Sequence, residues 1–598
     1  MTPSEAPVTT SPYALGKRSA HESSVSLGVA LRRLAPLLID ERGRVAVAFA
    51  ATVVSAGATL LAPVVIARAV DTYMIAGDFG GIVRSALVLL GAYLVGLIAA
   101  YGQTRQMGTV GRQVLFKLRN ALFLKLQELP VDFFNQNKAG DLISRINNDT
   151  DKLNQFFSQA LVQLAANLIM MAGAAGFLLS LNLQLGAAAL MPALGVLLLT
   201  RGAGGWVRRR NRASLQALGD LSGEVQESVS NFRVILAFDR VDYFREQFGA
   251  ANDRNYAAAI GAGLANTLFV PIYGLALNLA QVVVLAYGFY LIANGALTIG
   301  LLIGFLIYVN NFYMPLRQLA VIWSSFQMAM ASLDRISEVL ALRSNLPQLT
   351  ADPGPSSPQA PAMEFDGVSF AYPGGDDVLR DVTFRLERGR TYALVGPTGG
   401  GKTTTASLMA RLYDPSSGVV RLNGRDIRAW SAADRARSIG FILQEPFLFT
   451  GTVRENIVYG SRELQALDAD GLRARLEARH LTGLVGRFEQ GLDTPVTTGS
   501  DGVSLGQKQL VAFMRAVLRD PEILILDEAT ANIDTVTEQL LEQTLRALPT
   551  STTRVVIAHR LNTIENADEI FFINGGAITP AGSMEMAIDL LLHGKRES

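Results

Sequence analysis

The chain has 598 residues, a formal net charge of +1, four histidines and no cysteine. Disulfides, thiolate metal sites and cysteine nucleophiles are therefore excluded, and the near-neutral balance gives no sign of a nucleic-acid partner. Hydrophobic residues make up 49% against 18% charged, with a mean hydropathy of +0.27. That is more apolar surface than a soluble core requires, and it points to membrane spans.

The first residues, MTPSEAPVTTSPYALGKRSAHESSV (1–25), are polar and rich in Pro and Ser. They read as a disordered tail and not as a cleaved signal peptide. Six apolar stretches follow, near 45–70, 81–103, 159–181, 183–202, 268–295 and 300–320. Each approaches the roughly 20 residues that cross a bilayer. Buried helices of a soluble domain are the alternative, though six such runs in one half are unusual for one. The connection DTYMIAGDFG (71–80) has two acids and no Lys or Arg, whereas the other side carries Arg32, Arg33, Arg42, Arg44, Arg105, Arg112, Lys117, Arg119, Lys125, Arg208, Arg209, Arg210 and Arg212. By the positive-inside bias both termini and the two long loops are cytoplasmic. Those loops, about 104–158 and 203–267, have amphipathic helical spacing, as in GRQVLFKLRNALFLKLQEL, so the membrane helices are expected to run on beyond the bilayer. Prolines 63, 192, 271 and 315 are candidate kinks.

A Pro/Ser/Gly-rich linker, 344–362, separates this region (26–343) from a different pattern over 363–598. Short β-branched runs alternate there with helical segments: RTYALVG, VVRLNG, SIGFILQ, EILILDE, RVVIAHR and EIFFING. This predicts an α/β domain with a largely parallel central sheet.

The chemistry lies in that second region. YALVGPTGGGKTTTASLM is a strand, a glycine-rich loop and a helix, and Gly396, Gly401, Lys402 and Thr403 fit the phosphate-loop spacing. Around Thr398, Gly399, Gly400 and Thr404 the backbone is free to wrap phosphate oxygens, with the helix N-terminus adding partial positive charge. Lys402 is placed to reach the β and γ phosphates of ATP, and Thr403 a Mg²⁺ ion. ILILDEAT (523–530) supplies a buried strand that ends in Asp527, a second metal ligand, followed by Glu528, the candidate general base.

With these motifs in this order, nearly the whole chain after the tail resembles the ATP-binding cassette (ABC) exporters: a six-helix membrane domain with long cytoplasmic extensions, fused to an α/β P-loop ATPase domain. The resemblance implies roles for further residues. Tyr372 in FAYPGG stands where the family stacks an aromatic on adenine. Gln444 in FILQEPFLFTGTVRENI stands at the glutamine that joins the metal to the membrane-domain interface. His559 in IAHRL matches the histidine that contacts the γ-phosphate, and ANID (531–534) the loop that touches a partner. Segments 140–157 and 222–240 resemble the cytoplasmic coupling regions, and 331–340 the helix leading into the ATPase.

VSLGQ (503–507) matches the family's signature, LSGGQ, whose Ser and glycines approach the γ-phosphate bound by a partner domain. Ser504, Gly506 and Gln507 are kept, but Leu505 puts a branched side chain on a normally bare backbone. The Gly-rich loop, Gln444, Asp527, Glu528 and His559 are intact, so the departure is one-sided. This resembles the catalytic-glutamate subunit of heterodimeric bacterial multidrug exporters, paired with a different half-transporter that has an intact signature. The implied function is ATP-driven export of amphiphilic compounds across the inner membrane by alternating access. A homodimeric lipid or peptide exporter, or an ATP-gated regulatory or channel-type protein, is the alternative. Asn167, Met170, Met171, Tyr273, Asn278, Gln281, Tyr287, Tyr308 and Asn310 in the spans suit an amphiphilic substrate, and equally helix packing.

Overall fold

Helices dominate the first 341 residues because apolar runs in a bilayer satisfy their backbone only internally. The computed structural model describes Tyr13, Leu15 and residues 36–349, 359–497, 503–527, 535–557, 567–582, 585–586 and 590. The chain divides into two units: Lys17–Leu126 with Gly140–Ala341, and Met1–Gly16 with Gln127–Ala139 and Leu342–Ser598.

Among the described residues six helices are long and apolar enough to cross a membrane. They are α1 (Pro36–Met74), α2 (Phe79–Glu128), α4 (Ala139–Leu181), α5 (Leu183–Ser230), the α6–α7 pair (Val241–Thr267 and Phe269–Ala293) and α8 (Ile299–Ala341). A short helix, α3 (Val131–Gln136), lies between α2 and α4. The expected extensions are real: α2 alone has 50 residues, about 75 Å at 1.5 Å per residue. Pro63, Pro192 and Pro315 lie inside continuous helices. Pro271 does not. It sits in the first turn of α7, where a missing N–H costs nothing, and marks the break at Leu268. Asn182 opens α5 by accepting from the Leu185 amide, 3.0 Å.

The core of the helical unit draws on α1 (Leu60), α4 (Ala174, Leu178), α5 (Leu185, Ala189), α7 (Ala280, Val284) and α8 (Phe305, Val309). Alanines let these helices approach closely, and two tyrosines add polar ties. Tyr308 donates to the Leu60 carbonyl at 2.6 Å and Tyr313 to that of Ala189 at 2.9 Å. Helix α2 contributes nothing to this cluster, and no residue of its bilayer-length stretch is fully buried.

The second unit contains two main sheets. β1 (Met363–Ala371) pairs antiparallel with β2 (Asp377–Leu386) on one side and β4 (Ser417–Leu422) on the other. The six-stranded sheet uses β3 (Thr391–Val395), β5 (Ile439–Ile442), β6 (Ile523–Asp527), β7 (Thr553–Ile557), β8 (Glu569–Asn574) and β9 (Ala577–Pro580), in the order β9-β8-β3-β7-β6-β5. All its pairings are parallel except β8–β9. Five of the six runs read as strands of a parallel sheet belong to it. The sixth, VVRLNG, is β4 and lies in the antiparallel sheet, where it pairs with β1 on one side and with Arg425–Asp426 on the other.

Period-two alternation sorts the sheet's two faces. Ile523 and Ile525 of β6 point to the side covered by α9 (Lys402–Met409). Leu524 and Leu526 point to the other, which is covered by Leu510, Phe513 and Met514 of α10 (Leu505–Val517).

Two residues of the expected tail are held in place. Tyr13 is 3% exposed, sets its ring edge-on against Phe133 at 6.4 Å and donates to the Arg343 carbonyl at 2.8 Å. The Asn137 amide completes the grip: its Nδ2 donates to the Tyr13 carbonyl at 2.9 Å and its Oδ1 accepts from the Leu15 N–H at 3.1 Å.

Candidate nucleotide site

Register places the motifs at one edge. Leu394 of β3 pairs with Ile557 of β7, which pairs with Asp527 of β6, and Leu526 pairs with Ile442 of β5. Four parallel strands thus end level, and the segments leaving them carry Gly396, His559, Glu528 and Gln444. The crevice beyond the carboxyl ends of parallel strands is where such sheets bind ligands. Glu528, His559 and ANID (531–534) lie outside the described residues, as do Asp501 and Gly502.

The loop between β3 and α9 needs its glycines. Gly396 has φ 150°, and a Cβ there would lie 2.0 Å from the Ile573 carbonyl oxygen. Gly401 has φ 110°, a left-handed turn that starts α9. Helix α9 begins where the loop ends, so the partial positive charge of its N-terminus falls at the loop, which suits an anion. Lys402 is buried, and its ammonium lies 2.8 Å from the Gly396 carbonyl and 3.0 Å from that of Pro397. A point positive charge therefore sits inside the turn. Thr403 is exposed at its mouth, whereas Thr404 is buried.

Asp527 is 2% exposed at the end of the fully buried β6, and Gln444 is exposed two residues beyond β5. Thr403, Gln444 and Asp527 offer only hard oxygen donors, which suits Mg²⁺. No cluster of three His, Asp or Glu exists among the described residues. An ion held here would lean on one carboxylate and on phosphate oxygens, the usual arrangement for Mg²⁺.

Tyr372 follows β1 in the other sheet, yet its hydroxyl lies 3.1 Å from Thr404 Oγ1, which brings the ring to the loop. Sequence reasoning missed what holds that ring. Tyr413 meets it edge-on, with centroids 5.3 Å apart and planes at 88°. Phe370 also packs nearly perpendicular to it, with centroids 4.9 Å apart. The only sequence signal was an aromatic four residues after α9. Burial pushes the Tyr413 phenol above its ordinary pKa, reinforced by Tyr372 and opposed by the Asn135 amide that donates to it. The phenol stays neutral at physiological pH.

Ser504 opens α10 as a capping box. Its hydroxyl accepts from the Gln507 N–H at 3.2 Å, and Gln507 Oε1 accepts from the Ser504 N–H at 2.9 Å. Gln507 Nε2 also donates to the Arg487 carbonyl at 3.0 Å. Leu505 is the first residue of the helix and remains 46% exposed, while Val503 is buried. The Gly-rich loop with Lys402, Thr403 and Thr404 opens a helix on one face of the sheet, and Ser504, Gly506 and Gln507 open one on the opposite face.

Two family descriptions match the chain: ABC transporter transmembrane region over residues 45–316 and ABC transporter over 379–531. The uncharacterized ABC transporter ATP-binding protein YfiC of Bacillus subtilis is 34% identical, over 93% of this chain and 92% of the relative. The fatty acid ABC transporter ATP-binding/permease protein of Mycobacterium tuberculosis is 34% identical, over 85% of this chain and 79% of the relative. The multidrug resistance ABC transporter ATP-binding and permease protein of Lactococcus lactis is 30% identical, over 85% and 84%.

Proposed function

The chain belongs to the ABC transporters, an integral multi-pass membrane protein whose ATPase domain drives transport, and from that premise we propose that it is one half of a two-chain exporter of amphiphilic compounds. One observation carries the two-chain reading: the Gly-rich loop and Ser504 open helices on opposite faces of one sheet. A nucleotide cradled at Gly396–Thr404 would take its second set of contacts from the Ser504 end of another cassette. Exposed apolar side chains support this. Phe232, Val234, Leu236 and Phe238 are open to solvent on the long cytoplasmic loop, outside the bilayer-length stretches.

In the working cycle Lys402 and the loop amides hold the β and γ phosphates of ATP. Asp527, Thr403 and Gln444 would hold Mg²⁺, which would offset phosphate charge. Tyr372 stacks on the base. Glu528 accepts the proton of the attacking water, and His559 contacts the γ-phosphate. Closure of two cassettes on ATP opens the membrane cavity outward, and hydrolysis resets it.

We infer further that the partner is a different chain. Leu505 leaves a branched, exposed side chain where this chain would approach its partner's phosphate, so the partner's site is the weaker one. The intact capping box of Ser504 and Gln507 favours a second reading, a homodimer that tolerates Leu505. The named substrates of the relatives, fatty acids and drugs, share an amphiphilic character, and we assign this chain the same class. On the loop-charge reading both termini lie on the cytoplasmic side, and we place the chain in a bacterial inner membrane. Native mass measurement on the complex extracted from its own membranes decides between partners. A one-to-one assembly with a second half-transporter supports the asymmetric pair, and a dimer of this chain alone overturns it.

A further inference from the structure

The three rings at the base-stacking position form a continuous path to a segment of chain far away in sequence. Tyr413 packs edge-on to Tyr372 and at 59° to Phe370, with centroids 5.3 and 5.5 Å away. Its hydroxyl accepts from Asn135 Nδ2 at 2.7 Å, and Asn135 belongs to α3, the short helix between α2 and α4. The backbone under Tyr413 is fixed on both sides. Arg411 adopts a left-handed φ of 52° and is 6% exposed. Its guanidinium bonds Asp414 Oδ1 at 2.9 Å and the Pro347 carbonyl at 2.8 Å. Tyr413 therefore cannot drift as a unit; its ring answers to the rings beside it and to the amide above it. Helix α3 is itself anchored, by buried Phe133 and by the Tyr13 grip on Asn137.

We propose that Tyr413 is a positioning residue for nucleotide: the Asn135–Tyr413 hydrogen bond sets the tilt of Tyr372, so that α3 tunes how tightly the cassette stacks on the adenine base. This rests on the reading of Tyr372 as the stacking ring. Near-perpendicular packing makes the link directional, because rotating Tyr413 breaks its T-shaped contact with Tyr372. The Thr404 hydroxyl, 3.1 Å from Tyr372, fixes the far end of the path beside the Gly-rich loop.

The test uses the assembled transporter in lipid nanodiscs, with ATPase kinetics read as KM and kcat separately. Tyr413→Phe keeps the ring and loses the bond, and Asn135→Ala loses it from the other side. Each is expected to raise KM for ATP about fivefold, the worth of one hydrogen bond, with little change in kcat or Tm. The double variant is expected to be no worse than either single one, since both remove one interaction. Unchanged KM in the two single variants, or additive effects in the double one, overturns the proposal. Tyr372→Leu separates the two readings. If it raises KM while the other variants do not, only the link fails; if it leaves KM unchanged, the stacking assignment fails with it.

Discussion

The Gly-rich loop and the start of α10 both present a helix N-terminus, and they are built to opposite specifications. At Gly396 the fold itself forbids a side chain, because the Ile573 carbonyl fills the space. At Leu505 the fold is indifferent: the side chain stands in the open, and the cap is made by Ser504 and Gln507 on either side. Constraint at the first is internal and visible in one chain. Constraint at the second can come only from whatever approaches from outside. On the proposed reading the two positions report on different molecules, the first on this chain's own ATP and the second on its partner's.

Variants sharpen that contrast, beginning with the largest expected effect. Glu528→Gln should lower ATP turnover by about 100-fold or more while nucleotide is retained, as expected for loss of a general base; normal phosphate release from that variant would remove Glu528 from the chemistry. Gly396→Ala should destabilise the cassette by about 3 kcal/mol, the upper range for overpacking, and should show as a lowered Tm even without nucleotide. Lys402→Ala should weaken ATP binding by about 2 kcal/mol, typical of hydrogen bonds to a charged group, as measured by titration with a fluorescent ATP analogue. Leu505→Gly should cost well under about 1 kcal/mol of helix stability, since that figure holds for a helix interior and Leu505 is the first helical residue, and should leave the complex turning over near its original rate. A collapse in turnover there would mean that Leu505 serves an active site.

What the sequence made legible follows from periodicity and spacing. Six apolar runs and amphipathic loops foretold the long helices, and the strand–loop–helix pattern located Gly396–Thr404, because both signals are local. The antiparallel placement of VVRLNG was not legible, since a half-buried strand reads alike in either sheet. Tyr13 and Tyr413 were missed for a related reason. Their partners lie at sequence separations of 330 and 278, and no local pattern announces a contact of that range. Tyr13 also sits in a segment whose composition argued for a tail, and two hydrogen bonds from one Asn137 side chain outweighed that composition at this point.

The Tyr13 seat has a consequence for how the protein is made. The anchor leaves the ribosome first, and Arg343, its last partner, follows 330 residues later. All six apolar helices lie between those two residues in sequence. The seat therefore cannot close until the entire membrane block has been synthesised. A closed seat certifies a completed membrane block: a chain stalled or cut short within the spans leaves Tyr13 without its acceptor, so a probe at that single ring would tell chains that carry all six spans from those arrested among them.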